Sequence, residues 1–346
     1  MNDRKGSRRD FLKTTGAVTA GLVAGSLAAG ATVGITALEP HNPRTNDAMP
    51  TRNLGRTGYR VGIFSLGGQA AIEHADNADV AVPLIERAID LGVNYIDTAA
   101  QYGGAERWSQ RYVGQVMKTR RNEVYLASKT HDRSRDGSLK LLEESLKLLN
   151  TDHLDAWQLH HITTQDDVDR IFAKGGAIEA IQQAKEQKMV RFLGVTGHTD
   201  PDLLIQCINR FPFDQILLAV NAADPHKLSF REKLLPLAVE KQMGIIGMKI
   251  PARGRILNSW KPTTSPTAPF EGSGPQPGVL NMREAMYYTL SLPVSTVVIG
   301  CDSIAQLEEN VKLAHEFTPL SEAQMAALTA RTEPIARQAL FFRRWA

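Results

Sequence analysis

The chain has 346 residues, of which 42% are apolar and 22% are charged, and its formal net charge is +3. These values are typical of a soluble globular protein with one large domain or two small ones. Part of the basic excess lies in the N-terminal segment, so no broad basic face indicates nucleic-acid binding. The two cysteines, Cys207 and Cys301, do not make a disulfide framework. One bridge between them is conceivable, but the burial habit of cysteine favours two free, buried thiols.

The first 37 residues predict an export signal. Residues 7–13 read S-R-R-D-F-L-K, a twin-arginine signature, and an apolar run rich in alanine and glycine follows at 14–37. This combination is typical of a Tat signal, with a small-x-small cleavage site at 29–31. The alternative is a membrane helix, for which the run is poor in leucine and isoleucine. We expect recognition by the Tat export machinery and a periplasmic or other extracytoplasmic location, with a membrane tether if the signal is not cleaved.

The next segment connects this signal to the folded domain, which we expect at 51–346. Residues 38–50 contain Pro40, Pro43 and Pro50 and predict a linker. Residues 51–59, with Gly55 and Gly58 at turn positions, are compatible with a hairpin that caps the floor of a barrel.

The remaining sequence alternates between strand and helix patterns. Apolar, β-branched runs predict strands at 61–66, 94–98, 124–128, 154–160, 190–195, 215–220, 244–250 and 294–299. Helical patterns follow them at 80–91, 107–118, 138–149, 177–188, 201–210, 230–242, 281–290 and 303–317. Repeated βα units imply a parallel sheet, and eight of them imply a closed (β/α)8 TIM barrel forming a single domain.

Active sites of such barrels lie on the loops that follow the strands. The second predicted strand ends in Asp97, with Tyr102 in the next loop; the third ends in Lys129 and the fourth in His160. Taken alone, each residue has a plain structural explanation: a solvated loop charge, a packed tyrosine or a core histidine. Because the four recur at the same phase of three adjacent units, we expect them to converge at one barrel mouth.

This set of residues fits carbonyl reduction by hydride transfer. The developing alkoxide needs a proton, and a tyrosine hydroxyl with an ordinary pKa of about 10 is a weak acid unless a cation favours its phenolate. Lys129 can supply that charge, Asp97 can hold the lysine, and His160 can polarise the carbonyl.

Several motifs resemble the aldo-keto reductase family over residues 52 to about 320. Residues 97–103, with Glu106 following, resemble its D-T-A-x-x-Y-G…E signature. Further resemblances are the lysine strand at 126–129, the T-D-Y-x-D-x-x-x-x-H stretch at 152–160, the G-V-S-N strand at 194–198, and the strand-8 loop and E-N helix at 299–310. The resemblance implies that Tyr102 is the general acid, that Lys129 and Asp97 tune it, and that His160 orients the substrate.

The resemblance also implies a bound NADPH or NADH, with its phosphates at the loops after strands 7 and 8. The residues that we expect to bind it are Thr196, Lys249, Arg253, Gly300, Gln306, Glu309 and Asn310. A helix beginning near Ser303 offers free N–H groups, although Ser303 and Gln306 also fit a capping box that needs no ligand. Lys249 and Arg253 are equally compatible with solvated loop charges.

Three departures from the family pattern concern the nicotinamide pocket. Gly197 stands where the family often has asparagine, Leu217 where it has glutamine, and Met248 where it has an aromatic residue. The preference between the two nucleotides stays open, because Asp302 disfavours a 2′-phosphate whereas the family habit favours NADPH.

Two classes of function remain. The first is an NAD(P)(H)-dependent oxidoreductase acting on aldehydes, ketones or sugars; the second is a non-catalytic or regulatory binding protein on the same barrel. The histidines show no metal-ligand spacing, so we expect no metal. Because Tat substrates are exported folded, the cofactor could be loaded beforehand and retained. Residues 261–278 are compatible with a lid over it and equally with a disordered insertion.

Overall fold

The structure is a computed structural model that describes residues 42–260 and 276–345. The predicted export signal and most of the predicted lid lie outside these residues. Within the described part of the chain, no helix is long and apolar enough to cross a membrane. Cys207 and Cys301 are free and buried, as the sequence predicted.

Eight parallel strands form a closed barrel in which each strand pairs with the next along the chain. The last barrel strand closes the ring by pairing with both the strand before it and the first barrel strand. The barrel strands are β3 (Phe64–Gly67), β4 (Tyr95–Asp97), β5 (Tyr125–Thr130), β6 (Leu154–Leu159), β7 (Val190–Gly197), β8 (Gln215–Ala219), β9 (Gly244–Met248) and β10 (Thr296–Ile299). The predicted (β/α)8 fold is confirmed.

Helices cover the outside of the barrel because one face of each is apolar and packs on the sheet. In the described residues they are α1 (Thr45–Ala48), α2 (Ala78–Asp90), α3 (Trp108–Arg120), α4 (Arg135–Leu148), α5 (Gln165–Ile171), α6 (Ala177–Glu186), α7 (Pro201–Arg210), α8 (Phe230–Glu240), α9 (Met282–Leu290), α10 (Ile304–His315), α11 (Glu322–Thr332) and α12 (Ala336–Ala339). Helices α5 and α11 were not predicted. Both begin at a capping box, Thr164 with Asp167 and Ser321 with Gln324.

The floor of the barrel is closed by the hairpin β1 (Thr51–Asn53) and β2 (Arg60–Gly62). Tyr59 from its turn packs inside the barrel against Tyr125, with ring centroids 5.0 Å apart. The hairpin was predicted, but its second strand is longer than expected. The predicted strand at 61–66 is therefore wrong at its start: β2 ends at Gly62, and the barrel strand begins at Phe64.

The predicted linker is also partly folded. From Asn42 onward it packs on the end of α2: the Thr45 hydroxyl donates to the Gly92 carbonyl at 2.7 Å, and Met49 is buried. Residues 42–50 therefore belong to the folded unit, because their polar side chains pair with backbone carbonyls exposed at the C-terminal end of a helix.

The C-terminal tail, residues 340–345, lies against the opposite end of the barrel, where the parallel strands finish. Its Arg343 guanidinium donates to the carbonyls of His198 and Ala219, and it pairs with Asp224 at 2.5 Å. The tail thus connects the ends of β7 and β8 and holds Phe342 near the His198 ring, with 6.1 Å between centroids.

Candidate active site

Three neighbouring strands place the four predicted catalytic residues at one end of the barrel. Asp97 is the last residue of β4, Lys129 lies next to last in β5, and His160 directly follows β6. Tyr102 lies in the loop after β4 and is partly exposed. The parallel arrangement brings these strand ends together, as the spacing predicted.

The Lys129 ammonium is the centre of this group. It donates to the Asp97 carboxylate at 2.5 Å, to the Thr98 carbonyl at 2.9 Å and to the Tyr102 hydroxyl at 3.4 Å. Lys129 and Asp97 are almost fully buried. Burial lowers the pKa of Lys129 and raises the pKa of Asp97, and their mutual attraction opposes both shifts. The Asp97 carboxylate therefore favours the charged form of Lys129, and the Lys129 ammonium favours the charged form of Asp97.

The pKa of Tyr102 does not follow the sequence prediction. It is raised well above its ordinary value, mainly by burial and then by the negative charges of Asp97 and Glu73. The prediction that Lys129 would lower this pKa is corrected, because burial and the two negative charges dominate. The phenol therefore stays protonated at neutral pH and is available as a proton donor.

His160 lies beside this phenol. The two rings meet edge to face, with 5.8 Å between centroids. Burial and the positive charge of Lys129 hold the pKa of His160 well below its ordinary value, so its imidazole is neutral. A neutral imidazole can donate one hydrogen bond to a carbonyl oxygen without placing a second cation beside Lys129.

Gln158 is a site residue that the sequence analysis missed. Its amide nitrogen donates to the second Asp97 oxygen at 3.2 Å, so both carboxylate oxygens have donors. Gln158 lies in β6 two residues before His160, which directly follows the strand, and the alternation of an extended chain places both on the same face. A polar residue at this spacing before His160 was the available signal.

A cleft of about 840 Å³ adjoins the group and reaches from Asp97 and Tyr102 across the loops after β3, β9 and β10. This volume is within the range of roughly 300–1,000 Å³ for small-molecule sites. Six of the seven predicted cofactor residues line it: Lys249, Arg253, Gly300, Gln306, Glu309 and Asn310.

Thr196 is the exception, and its prediction is corrected. The residue is fully buried, does not line the cleft, and its hydroxyl accepts the His161 backbone N–H at 3.0 Å. Its neighbour Gly197 is not directed at the cleft either, because a Cβ there would lie 3.0 Å from the Leu204 side chain on α7.

Cations and their partners occupy one wall of the cleft. The Lys249 ammonium donates to the side-chain oxygen of Gln69 (Oε1) at 3.0 Å. The side-chain nitrogen of Gln69 donates to the Glu73 carboxylate at 3.1 Å. Burial and the neighbouring Arg253 lower the pKa of Lys249 to about 8. Gln69 and Glu73 were not predicted; the adjacent glycines at 67 and 68, which end β3, were the only sequence feature marking this loop.

The loop after β10 forms another wall. Gly300 stands where a Cβ would meet the Gln69 backbone at 3.0 Å, so loop packing alone already disfavours a side chain. The predicted capping box is only half formed: Ser303 accepts the Gln306 N–H, whereas the Gln306 side chain accepts the N–H of Asp302. Asp302 itself is exposed and lines the cleft.

The inner end of the cleft is apolar. Leu217, Met248 and Val298 line it beside Asp97 and Tyr102. Leu217 stands in place of an amide side chain, and Met248 stands in place of an aromatic one. A nicotinamide ring bound here would therefore meet an apolar surface. An apolar inner surface together with a cationic wall fits a dinucleotide. Among the described residues, no three His, Cys, Asp or Glu side chains are placed to hold a metal ion.

The model of the Aldo/keto reductase family matches residues 60–271, which is more than half of the chain. The uncharacterized oxidoreductase YqkF of Bacillus subtilis (strain 168) is 26% identical over 82% of this chain and 97% of its own length. The L-galactose dehydrogenase of Arabidopsis thaliana is 27% identical over 82% of this chain and 94% of its own length.

Solved structures agree on the fold. The holo form of an aldo-keto reductase from Bacillus halodurans, AKR11C1, superposes with a TM-score of 0.67 at 23% identity, over 82% of this chain and 96% of that one. An aldo-keto reductase from Klebsiella pneumoniae in complex with NADPH gives 0.62 at 20% identity, over 82% and 94%. The chain therefore belongs to the aldo/keto reductase family and is an NAD(P)-dependent oxidoreductase.

Proposed function

We propose that this enzyme reduces small carbonyl compounds with Tyr102 as the proton donor. The observation that carries the proposal is the position of the Lys129 ammonium, which contacts both Asp97 and the Tyr102 hydroxyl at the inner end of the cleft. The bound nicotinamide nucleotide supplies the hydride. Everything else required at the reacting carbonyl comes from side chains of the chain itself.

Each of the four residues has one task in this proposal. Neutral His160 donates a hydrogen bond to the carbonyl oxygen and orients it next to the Tyr102 hydroxyl. Tyr102 releases its proton to that oxygen as negative charge develops there. The Lys129 ammonium then stabilises the phenolate, while Asp97, held by Gln158, fixes the lysine in place. Because its pKa is raised, the Tyr102 hydroxyl is protonated at neutral pH and can give up that proton when Lys129 stabilises the phenolate.

The cleft walls supply the cofactor-binding groups of the proposal. Lys249 and Arg253 would hold the pyrophosphate beside the backbone near Gly300, and Leu217 with Met248 would offer the nicotinamide ring an apolar surface. Gln306, Glu309 and Asn310 would hold the adenosine part. Thr196 has no direct cofactor contact in this arrangement.

The direct test is Tyr102→Phe, with Tyr287→Phe as the matched control. The control variant also loses a phenol hydroxyl. The Tyr287 hydroxyl lies on α9, accepts a hydrogen bond from Arg283 and does not line the cleft. Tyr102→Phe should lower kcat for aldehyde reduction at least about a hundredfold while nucleotide binding persists; Tyr287→Phe should reduce aldehydes normally. Normal turnover by Tyr102→Phe would contradict the assignment of the proton donor.

The substrates are aldehydes, ketones or sugars in this proposal. Support comes from relatives named L-galactose dehydrogenase, 6-dehydroglucose reductase and methylglyoxal reductase, each of which is a dehydrogenase or reductase of a small carbonyl or hydroxyl compound. A panel of such compounds, assayed by nucleotide absorbance with either NADH or NADPH, tests the class. Absence of turnover across the panel would favour the alternative, a non-catalytic binding barrel.

We also propose that residues 1–37 direct the folded protein out of the cytoplasm by the Tat route. The twin-arginine sequence at 7–13 and the apolar run after it support this proposal. Replacing Arg8 and Arg9 by lysine should trap the protein in the cytoplasm, as measured by cell fractionation. The unmodified chain is the control, and equal export of both would contradict the proposal. N-terminal sequencing of the exported protein shows whether the signal is cleaved.

Export outside the cytoplasm would separate the enzyme from a pool of reduced nucleotide. We therefore propose that the nucleotide is loaded before export, retained, and recycled between an oxidisable and a reducible substrate. Mass spectrometry of the exported protein should find one nucleotide per chain, and exchange with added nucleotide should be slow. Exported protein without nucleotide, or dissociation within milliseconds, would contradict retention.

A further inference from the structure

Four buried polar atoms beside the catalytic group have no hydrogen-bond partner. They are Arg107 Nη1, His131 Nδ1, Arg133 Nη1 and His160 Nδ1. In the described residues only eight buried side-chain nitrogen or oxygen atoms lack a partner, so half of them follow the three successive strands β4, β5 and β6. A buried polar atom without a partner is destabilising, and more so when it belongs to a charged group.

The two guanidinium groups are held in place by their other nitrogens. Arg133 donates from Nε to Asp167 at 2.8 Å and from Nη2 to the His161 carbonyl at 3.0 Å. Arg107 donates from Nη2 to Glu144 at 2.7 Å, and its left-handed backbone directly precedes α3. Each guanidinium is therefore fixed by neighbours, and each keeps one buried N–H that nothing in the described chain accepts.

His131 and His160 lie between these two arginines and Tyr102 in the electrostatic and ring contacts of the group. His160 meets the Tyr102 ring, and the charge of Arg133 contributes to the low pKa of its imidazole. The charges of Arg107 and Arg133 both contribute to the low pKa of His131. The four residues thus lie within electrostatic reach of one another, and His131 is only partly buried, so the group reaches the surface there.

None of these four residues lines the nucleotide cleft. A partner for their unpaired atoms is therefore not the part of the dinucleotide held in that cleft. The proposed function supplies a candidate partner: the second reactant, whose carbonyl would lie between Tyr102 and His160.

We propose that Arg107, His131 and Arg133 form a subsite for an anionic group, a carboxylate or phosphate, on the carbonyl substrate. This inference rests on the proposed function. Two guanidinium N–H donors from different loops suit the oxygens of such an anion better than they suit a neutral group. Neutral imidazoles beside them add hydrogen bonds without adding charge.

The nearby carboxylates keep their negative charge, but their oxygens are turned toward donors of the protein itself. Asp167 accepts the backbone N–H groups of Thr163 and Thr164 as well as Arg133. Asp132 accepts both the N–H and the hydroxyl of Ser134. Glu144 is nearly half exposed, so solvent screens its charge.

The experiment compares pairs of aldehydes with and without an anionic group; the acid and the amide of the first pair are also matched in size. The full-length chain is assayed with 4-carboxybenzaldehyde and with its amide, 4-formylbenzamide, and then with glyceraldehyde 3-phosphate and glyceraldehyde. The carboxylate or the phosphate member of its pair should have a kcat/KM at least about tenfold higher, mainly through KM. The pair with the larger ratio tells which anion the subsite prefers.

Variants assign the preference to the named residues. Arg133→Gln and Arg107→Gln should each lower the acid-to-amide ratio about fivefold or more, and the double variant should bring it near one. Arg87→Gln, which removes an exposed arginine paired with Glu308 on the outer side of α2, should keep the wild-type ratio. A variant that slows both substrates equally and keeps the ratio would indicate a structural role and overturn the subsite.

Calorimetric binding separates this inference from the proposed function. Tighter binding of the acid than of the amide supports the subsite even if neither compound is reduced, in which case the reductase proposal fails instead. Reduction of both aldehydes at equal kcat/KM, with equal Kd, would overturn the subsite and leave the reductase proposal standing.

Discussion

The side chains of Lys129 and Asp97 form an ion pair that is almost completely removed from solvent, with 0% and 3% of their side-chain surface exposed and 2.5 Å between the charged atoms. Such a pair contributes little net stability, because the desolvation of two charges offsets their attraction. Loss of one member leaves the other charge buried without a partner. The pair therefore allows stability and catalysis to be separated experimentally.

Lys129→Met should destabilise the protein by roughly 3 kcal/mol, since Asp97 is then a buried carboxyl without its cation. The double variant Lys129→Met, Asp97→Asn should recover most of that loss, because an amide needs no counter-ion. Both proteins should be inactive in aldehyde reduction. Thermal unfolding and steady-state rates measure the two effects. A double variant that regains activity along with stability would show that the lysine serves only folding.

Nucleotide binding should weaken as the pH rises through about 8. Lys249 lines the cleft and its pKa is lowered to about 8, so the free protein loses this charge above that pH. A phosphate stabilises the protonated amine, and linkage then requires Kd to rise at higher pH, by about tenfold between pH 7 and pH 10. Fluorescence titration of NADH across this range measures it.

Lys249→Gln is the decisive variant for this pH dependence. It should bind nucleotide weakly at every pH, with a flat profile, whereas the exposed Lys233→Gln, which only loses a surface pair with Asp202, should behave like the wild type. A profile that still changes near pH 8 in Lys249→Gln would assign the titration to another group.

The sequence predicted the barrel and its catalytic end well because both depend on local patterns. Apolar runs and helical periodicity repeat along the chain, and a parallel barrel orders strands by chain position. The positions of Asp97, Lys129 and His160 followed from those runs alone. The strand at 61–66 was misplaced because two adjacent short strands, β2 and β3, present one continuous apolar run.

Other features depend on contacts between distant residues, which periodicity does not report. Arg343 pairs with Asp224 across 119 residues, and nothing near either one marks the pair. The raised pKa of Tyr102 depends on burial and on Asp97 and Glu73 together. Thr196 was placed in the cleft by motif alone, whereas its hydroxyl is engaged by the loop after β6.

Asp302 should oppose NADPH. It is exposed on the cleft wall after β10, and a carboxylate there repels a 2′-phosphate. Asp302→Arg should shift the ratio of kcat/KM for NADPH over NADH upward by about tenfold, with Asp302→Asn giving a smaller shift. Glu308→Arg is the matched control. Glu308 is an exposed carboxylate on α10, the helix that follows Asp302, but it pairs with Arg87 outside the cleft. An equal shift in Glu308→Arg would indicate general electrostatics only.

Arg343 should be the residue that fixes the C-terminal tail. It pairs with Asp224 with neither side chain exposed, and although burial lowers its pKa to about 10 it is charged at neutral pH. Arg343→Met should cost about 3 kcal/mol, because Asp224 loses its cation. Arg344→Gln, at an exposed neighbour that donates only to the Thr163 carbonyl, should change stability by less than about 0.5 kcal/mol.

In catalysis, Arg343→Met should change mainly the KM for aldehydes. The tail carries Phe342 against the His198 ring, and His198 Nδ1 lies 2.9 Å from His161 Nδ1, next in sequence to His160. Releasing the tail removes the Phe342 contact with His198 without touching Tyr102 or Lys129. Arg343→Met should therefore raise KM for aldehydes several-fold more than it lowers kcat, measured below the unfolding temperature. A fall in kcat at constant KM would instead mean that the tail positions the proton donor.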